Sequence, residues 1–287
     1  MLYIICTPIG NLNDFSLRSI NTLKQVDNIF AEDTRVAAKL LQHFDIQKKT
    51  KPFHEHNENE ASEEITELLK SGKTIALLSD AGAPLISDPG YPLIQNCIKE
   101  DLSFTVLPGA SALINALILS GLPSDQFSFF GFLPKQHEAK RKIAIKLQNS
   151  NSTNIFFESA RRIVKTMSIF SEVLNPDTRV AICREMTKEY ESIYRGTIKE
   201  MMTLFENDEI PLLGEFVLLV NPGSSLIEDF DLDENFCRPF LDYLSPTEAS
   251  KLIAKITSFS KQEVYKFLCP FRWGDRLLCS IEANFHE

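Results

Sequence analysis

The chain has 287 residues, 44% of them hydrophobic and 24% charged, with 11 Gly and 14 Pro, a globular composition that excludes disordered and fibrous classes. Thirty basic residues against 39 acidic ones give a net charge of −9, which excludes a uniformly basic nucleic-acid or membrane surface and leaves room only for a regional one. Six cysteines without a CxxC pair, and a start, MLYIICTPIG, without a basic leader, lead us to expect a cytoplasmic protein with no disulfides and no export, and no apolar run approaches the ~20 residues that cross a bilayer.

Residues 2–6 form the first strand-like run, followed by the turn-rich TPIGNLND and a helix carrying Leu17, Ile20 and Leu23 at helical spacing. Residues 27–31 read as a strand, 34–43 and 59–70 as helices, the latter stopped by Gly72. Residues 74–78 are a buried strand ending in SDAGAPLISDPG, and residues 103–107 are another, ending in PGAS before an apolar helix at 110–119. Short apolar strands alternating with amphipathic helices predict parallel βα units, and we assign them to an α/β domain over residues 1–121.

After GLPSDQ, with the boundary near residues 119–126, strands are predicted at 127–132, 154–157, 179–183, 193–196 and 215–220. A basic helix at 137–147 and an amphipathic one at 161–173 lie between them, giving a second α/β domain over residues 122–222. Residues 223–244 read as an acidic linker, and residues 245–287 as a small helical module. That module opens two helices with capping boxes, Ser245 to Glu248 and Ser260 to Glu263, and Leu252, Ile253, Ile256, Val264, Tyr265 and Leu268 are expected to face one another across the turn.

Three turn-rich loops follow strands of the first domain, and in open α/β sheets ligands bind outside those carboxyl ends. Gly10, Gly82 and Gly109 permit close backbone approach, and Pro8, Pro84 and Pro108 stiffen the loops. GxxxxGK[ST] and GxGxxG are both absent, which argues against kinases and dinucleotide enzymes. Asp80 and Asp88 suit hydroxyl or ammonium groups better than phosphates, although Asp88 also fits a turn-forming role. His54 and His56 would share a face on a strand, but no third metal ligand follows from the spacing, so we assign no metal. Arg161, Arg162, Arg184 and Lys188, with Lys135, Lys140, Arg141, Lys142 and Lys146, concentrate positive charge in the second domain, as phosphate contacts require; a solvated, salt-bridged helix face explains the same residues.

The motifs YIICTPIGNLND, FAEDTR, FHEHNE, LLSDAGAPLISDPGYPLI, PGASALINAL, GLPSDQFSFFGFLPK, FFESARR, CREMTKEYE and GEFVLLV, in this order, resemble the ribosomal RNA small subunit methyltransferase I family of the tetrapyrrole methylase superfamily. The resemblance covers residues 2–220, and the tail helices are similar to that family's small C-terminal module. It implies S-adenosylmethionine-dependent methylation of the ribose 2′-hydroxyl of a cytidine in 16S rRNA near the decoding site, within the small ribosomal subunit. It also implies a homodimer of two α/β domains with the donor in the cleft between them. By position in the motifs, it places the donor against Pro8, Gly10, Asp80, Ala81, Gly82, Ser111, Ala112, Phe157, Glu158, Ser159, Gly214 and Glu215. Substrate contacts are expected from Arg35, His56, Lys140, Arg141, Arg162 and Arg184. Ala83, Ala110 and Ala160-Arg161 depart from the Thr, Pro and Pro-His usual there.

A methyl group on a sulfonium is already activated, so alignment dominates, helped by a base or by a cation that stabilises the developing alkoxide. Lys188 and Glu185 are the candidates, with His56, Asp33 and Arg35 as alternates; a Glu185–Lys188 salt bridge is the structural alternative. Competing readings are a tetrapyrrole methyltransferase, which needs no basic stripe, a non-catalytic RNA- or ribosome-binding factor, and a metal-dependent hydrolase built on His54 and His56.

Overall fold

The computed structural model describes residues 1–223, 232–257 and 259–269. The first sheet is parallel and contains β1 (Leu2–Ile5), β2 (Asn28–Ala31), β3 (Thr50–Pro52), β4 (Ile75–Leu78) and β5 (Phe104–Leu107), in the order β3-β2-β4-β1-β5. Alternation along these strands feeds two apolar layers. Ile5, Ile29, Ala31, Ala76 and Leu78 pack with α1 (Leu17–Gln25) and α2 (Thr34–His43), whereas Leu2, Ile4, Phe30, Ile75 and Leu77 pack with α3 (Glu58–Lys70) and α4 (Tyr91–Lys99). Helices on both faces leave only the strand ends open to a ligand, and the loops after β1, β2, β4 and β5 gather at the carboxyl edge.

The helix after β5, α5 (Ala112–Ser120), is apolar almost all round because it packs on the second sheet. Its Ala116 and Leu117 join Ile155, Ala181, Cys183, Val217 and Leu219 in one cluster. That sheet contains β6 (Phe127–Phe132), β7 (Thr153–Ser159), β8 (Arg179–Arg184), β9 (Ser192–Thr197) and β10 (Glu215–Asn221), in the order β6-β7-β10-β8-β9. Only β6 and β7 run parallel; β10 is antiparallel to β7 and β8, so its first residues lie beside their last ones. The opposite face carries α6 (His137–Leu147), α7 (Ile163–Ser171) and α8 (Ile198–Glu206), with Phe156, Phe216, Leu218 and Val220 at its centre.

The chain divides into a compact unit over Met1–Pro222 and a second over Gly223–Glu287. The second contains α9 (Glu234–Leu241), α10 (Pro246–Ile256) and α11 (Lys261–Leu268) around buried Cys237, Ala249, Ile253, Val264 and Leu268. Both expected capping boxes form. Leu252 and Tyr265 are exposed rather than packed across the turn; the Ile256 side chain and residues 270–287 lie outside the described residues. The stretch read as linker contains α9, capped by the Asp233 side chain on the Phe236 N–H and buried through Cys237; its acidic flank hid it. Among the described residues, no helix is long and apolar enough to cross a membrane.

Candidate functional site

A cavity of about 420 Å³ opens where the carboxyl ends of both sheets converge. Its first-sheet wall is Ile9 after β1, Glu32 after β2, the 80–83 and 86–88 segments after β4, and Ser111 to Leu113 at the start of α5. Its second-sheet wall is Phe132, Phe157 to Ser159, Met186 and Gly214 to Val217. The loops are fixed by backbone bonds between Thr7 and Gly82, 2.8 and 3.1 Å in the two directions. Asp80, Ala81, Gly82, Ser111, Ala112, Phe157, Glu158, Ser159, Gly214 and Glu215, expected to meet one ligand, are thus brought together. Pro8 and Gly10 are not on the wall. Gly10 is exposed, but a Cβ there would stand 2.5 Å from Lys188 Cγ and 2.6 Å from Thr187 Oγ1. Its missing side chain admits the neighbouring loop instead of a ligand.

Three carboxylates crowd the first wall: Glu32, Asp80 and Asp88. None of them takes part in an ion pair among the described residues. The Asp80 N–H donates to Glu32 Oε2 at 3.4 Å, and Asp80 Oδ1 accepts from the Asp33 N–H at 3.0 Å. Burial pushes Asp88 up to about 7, with the charges of Glu32 and Asp80 adding and a hydrogen bond from Ser79 opposing. Burial also raises Glu32, against a hydrogen bond from the Asp80 backbone and with help from the charges of Asp80, Glu55 and Asp33. A cation placed among these groups lowers their energy. The sequence reading missed Glu32, because its neighbours in space are some 48 positions distant in the chain.

The second wall is neutralised from within. Glu158 borders the cavity, but its fully enclosed carboxylate accepts from Lys140 Nζ at 2.8 Å, Arg162 Nη2 at 2.6 Å, Thr166 Oγ1 at 2.7 Å and the Ser159 N–H at 2.8 Å. Lys140 is therefore not a surface cation: its side chain is 3% exposed and also donates to Thr166. Arg162 is spent in the same way, on Glu158, Ser159 Oγ and the Leu133 carbonyl. Arg184 is buried as well, donating to the Leu213 and Tyr190 carbonyls at 2.7 and 3.0 Å. Of the six expected substrate contacts, Arg35, His56 and Arg141 are exposed. Arg35 is clamped to Asp33 at 2.6 Å, which holds that carboxyl well below the usual range. His54 and His56 lie in a turn, not on a strand: Asn57 Oδ1 accepts the His54 N–H at 2.8 Å and closes it. Among the described residues, no three His, Cys, Asp or Glu side chains form a metal-binding group.

At the rim, Lys188 Nζ donates to Glu185 Oε1 at 2.9 Å and Glu215 Oε2 at 3.0 Å, and Glu185 Oε1 also accepts the Glu215 N–H at 2.9 Å. Glu185 and Thr187 both sit at positive φ, 48° and 66°, a costly backbone for non-glycine residues that is typical of functional loops. Burial works against the Lys188 charge, yet Glu185 and Glu215 hold it above the ordinary lysine range. Burial opposes the Glu185 charge too, but hydrogen bonds from the Glu215 N–H and Lys188 keep it below the ordinary glutamate range. Lys188 is thus a persistent cation and Glu185 the carboxylate that aims it. Met186, Gly214 and Glu215 carry this rim onto the cavity wall.

Residues 1–202 match the family model described as tetrapyrrole (corrin/porphyrin) methylases. The chain is 44% identical over 227 residues to a ribosomal RNA small subunit methyltransferase I of Halalkalibacterium halodurans, covering 79% of this chain and 78% of that one. It is 40% identical over 275 residues to the protein of that name in Bacillus subtilis, covering 92% of each. Among solved structures, uroporphyrin-III-C-methyltransferase from Thermus thermophilus aligns with TM-score 0.53 at 17% identity, over 77% of this chain and 94% of that one. A diphthine synthase aligns at 0.57 and 13%, over 76% and 88%. The two solved structures share the fold.

Proposed function

The chain belongs to the tetrapyrrole methylases and, within them, to the ribosomal RNA small subunit methyltransferase I family, and on that footing we propose that it methylates ribosomal RNA. In this reading the donor is S-adenosylmethionine, and the acceptor is the ribose 2′-hydroxyl of a cytidine in 16S rRNA near the decoding site. The observation that carries it is the cavity itself, with its wall of carboxylates free of ion pairs at the ends of the first sheet.

The residues present suit such a donor. Glu32, Asp80 and Asp88 offer negative charge to its sulfonium and ammonium groups, the first turn of α5 offers N–H groups to its carboxylate, and Ile9, Ile86, Phe157 and Met186 offer apolar surface to its ring. When bound, it supplies a methyl group already activated by the sulfonium charge. The protein then has to hold an acceptor oxygen in line, exclude water and stabilise the charge that develops as the hydroxyl loses its proton. Lys188 does the last of these, as a cation held by Glu185 and Glu215 rather than as a base.

The RNA-facing charge lies on α6 and the segment before it, and on the turn before α7 and the first turn of α7. Lys135, Arg141, Lys142, Lys146, Arg161 and Lys165 are exposed, and among the described residues their side chains make no ion pair or hydrogen bond. Cations free of internal partners are the ones available to phosphates. The working form is a homodimer; exposed Phe104 and Val106 on outermost strand β5, Phe127 and Phe130 on outermost strand β6, and Ile114 and Ile118 on α5 offer apolar surface for a second copy. The test is transfer of a labelled methyl group to small ribosomal subunits that lack the modification, followed by mapping of the label. A labelled cytidine ribose supports the reading; donor binding without transfer to subunits or their RNA makes the protein a binding factor instead.

A further inference from the structure

Strand β6 reads FSFFGF, with three phenylalanines before its last residue. Strict alternation puts Phe130 and Phe132 on one face and Phe129 on the other. The first part obeys: Phe129 packs edge-on to Phe157 at 4.9 Å on the α5 side, and Phe130 stacks on Phe156 at 5.0 Å on the opposite side. Then the register slips. Phe129 pairs with Ile155 and Phe132 with Phe157, so three steps on β6 span two on β7. Gly131 absorbs the extra residue at φ +67°, where a Cβ would also stand 3.1 Å from Ser87 Oγ on the loop after β4. The bulge reverses the parity of Phe132 and brings it to the cavity side, 5.5 Å from Phe157 with the rings 65° apart.

Phe132 nevertheless stays 63% exposed. A lone exposed apolar residue is ordinary, but this one belongs to the wall of the reaction cavity and is put there by a glycine bulge. Its flanks are cationic: Lys135 follows three residues later, and the Leu133 carbonyl accepts from Arg162 Nη1 at 3.2 Å, next to exposed Arg161. An exposed aromatic ring on a segment that also carries exposed Lys135 suits an unstacked nucleotide, the ring meeting the base and the cation a phosphate. The minor groove of an RNA helix displays its 2′-hydroxyls, but a methyl group enclosed in a cavity is reached more readily by the ribose of a nucleotide that has left the stack.

We propose that Phe132 is the stacking platform for the base of the acceptor nucleotide, a substrate-positioning residue set by the bulge at Gly131. The proposal rests on the reading of the chain as a ribosomal RNA methyltransferase. The experiment compares wild type, Phe132→Ala and Phe132→Tyr for methyl transfer to unmodified small subunits, for S-adenosylmethionine binding by calorimetry, and for sedimentation. Phe132→Ala should raise KM for subunits about fivefold to a hundredfold, the range for loss of one base–aromatic stack, with Phe132→Tyr restoring it. Donor affinity should change less than about twofold, and kcat should fall by a smaller factor than KM rises. An unchanged KM overturns the proposal. So does a parallel loss of donor affinity, which would put the ring on the donor, or a change in sedimentation, which would make it a subunit contact. A wild-type enzyme that binds donor but transfers nothing to subunits sinks the functional reading as well.

Discussion

On the second sheet, the carboxylate of Glu158 is enclosed and met by Lys140, Arg162, Thr166 and the Ser159 N–H. Across the cavity, Glu32, Asp80 and Asp88 lie close enough for their charges to repel and form no ion pair among the described residues, and two of the three are held above the ordinary carboxylate range, chiefly by burial. Both walls carry acids, so acid content does not distinguish scaffold from binding site. What distinguishes them is whether the protein supplies the countercharge. A buried carboxylate with all its donors in place keeps a wall rigid, whereas a cluster left short of cations loses stability until a cationic ligand arrives.

The largest test of this contrast removes a donor from the satisfied wall. Lys140→Met keeps the aliphatic volume but removes the Nζ donor to Glu158 and Thr166, leaving Arg162 to meet the carboxylate's charge alone, and losing a buried hydrogen bond to a charged group costs about 3 kcal/mol. Thermal unfolding should fall by roughly 6–12 °C, and Lys140→Arg, which keeps the charge, should recover most of it. If Lys140→Met unfolds as wild type does while RNA binding alone weakens, Lys140 is the surface cation that the sequence suggested.

That misreading shows where sequence stops. Strands β1 and β4 were legible because both faces are apolar, and the donor loops because turn residues cluster at strand ends. Strand β3 was not: it has three residues, two of them exposed. Helix α8 had a legible start, a capping box from Thr197 to Glu200, but it went unused. Helix α4 also had a start signal, with Pro92 in its first turn, yet the preceding SDPG read as continuous loop. For Lys140 no local signal existed. A lysine on an amphipathic helix looks the same whether its ammonium meets water or a glutamate 18 residues onward, and Arg184 is hidden in the same way. Lys188 and Glu185 were legible both as reactive groups and as a salt bridge, and the structure has the bridge and adds Glu215.

Lys188 stands where the two kinds of wall meet, so its loss separates structural from chemical service. If its charge serves the reaction, Lys188→Ala should lower kcat about a hundredfold, the effect of removing one preorganised electrostatic contact, with donor affinity nearly intact. If it only ties Glu185 to Glu215, turnover on subunits stays unchanged and the small loss appears in stability, as for a partly exposed pair.

The smallest expected effect is also the most specific, because it has opposite signs in two measurements on one variant. Asp88 titrates near 7 in the folded chain against an ordinary aspartate value of 3.8. Between those values the folded state binds more protons than the unfolded one, so this carboxyl's contribution to stability declines as pH rises towards 7. Asparagine does not titrate; Asp88→Asn should therefore gain stability relative to wild type at pH 8 compared with pH 5. Ligand binding runs the other way. A cationic donor favours the ionised carboxyl, so wild-type affinity for S-adenosylmethionine should tighten as pH rises through about 7, while Asp88→Asn binds about tenfold more weakly at pH 8 and loses that dependence, tenfold being one pKa unit of coupling. A variant that is sturdier and binds less is what an uncompensated binding wall requires. A variant that loses stability with unchanged donor affinity would make Asp88 an ordinary turn-forming residue, and the contrast between the two walls would then reduce to Glu32 and Asp80.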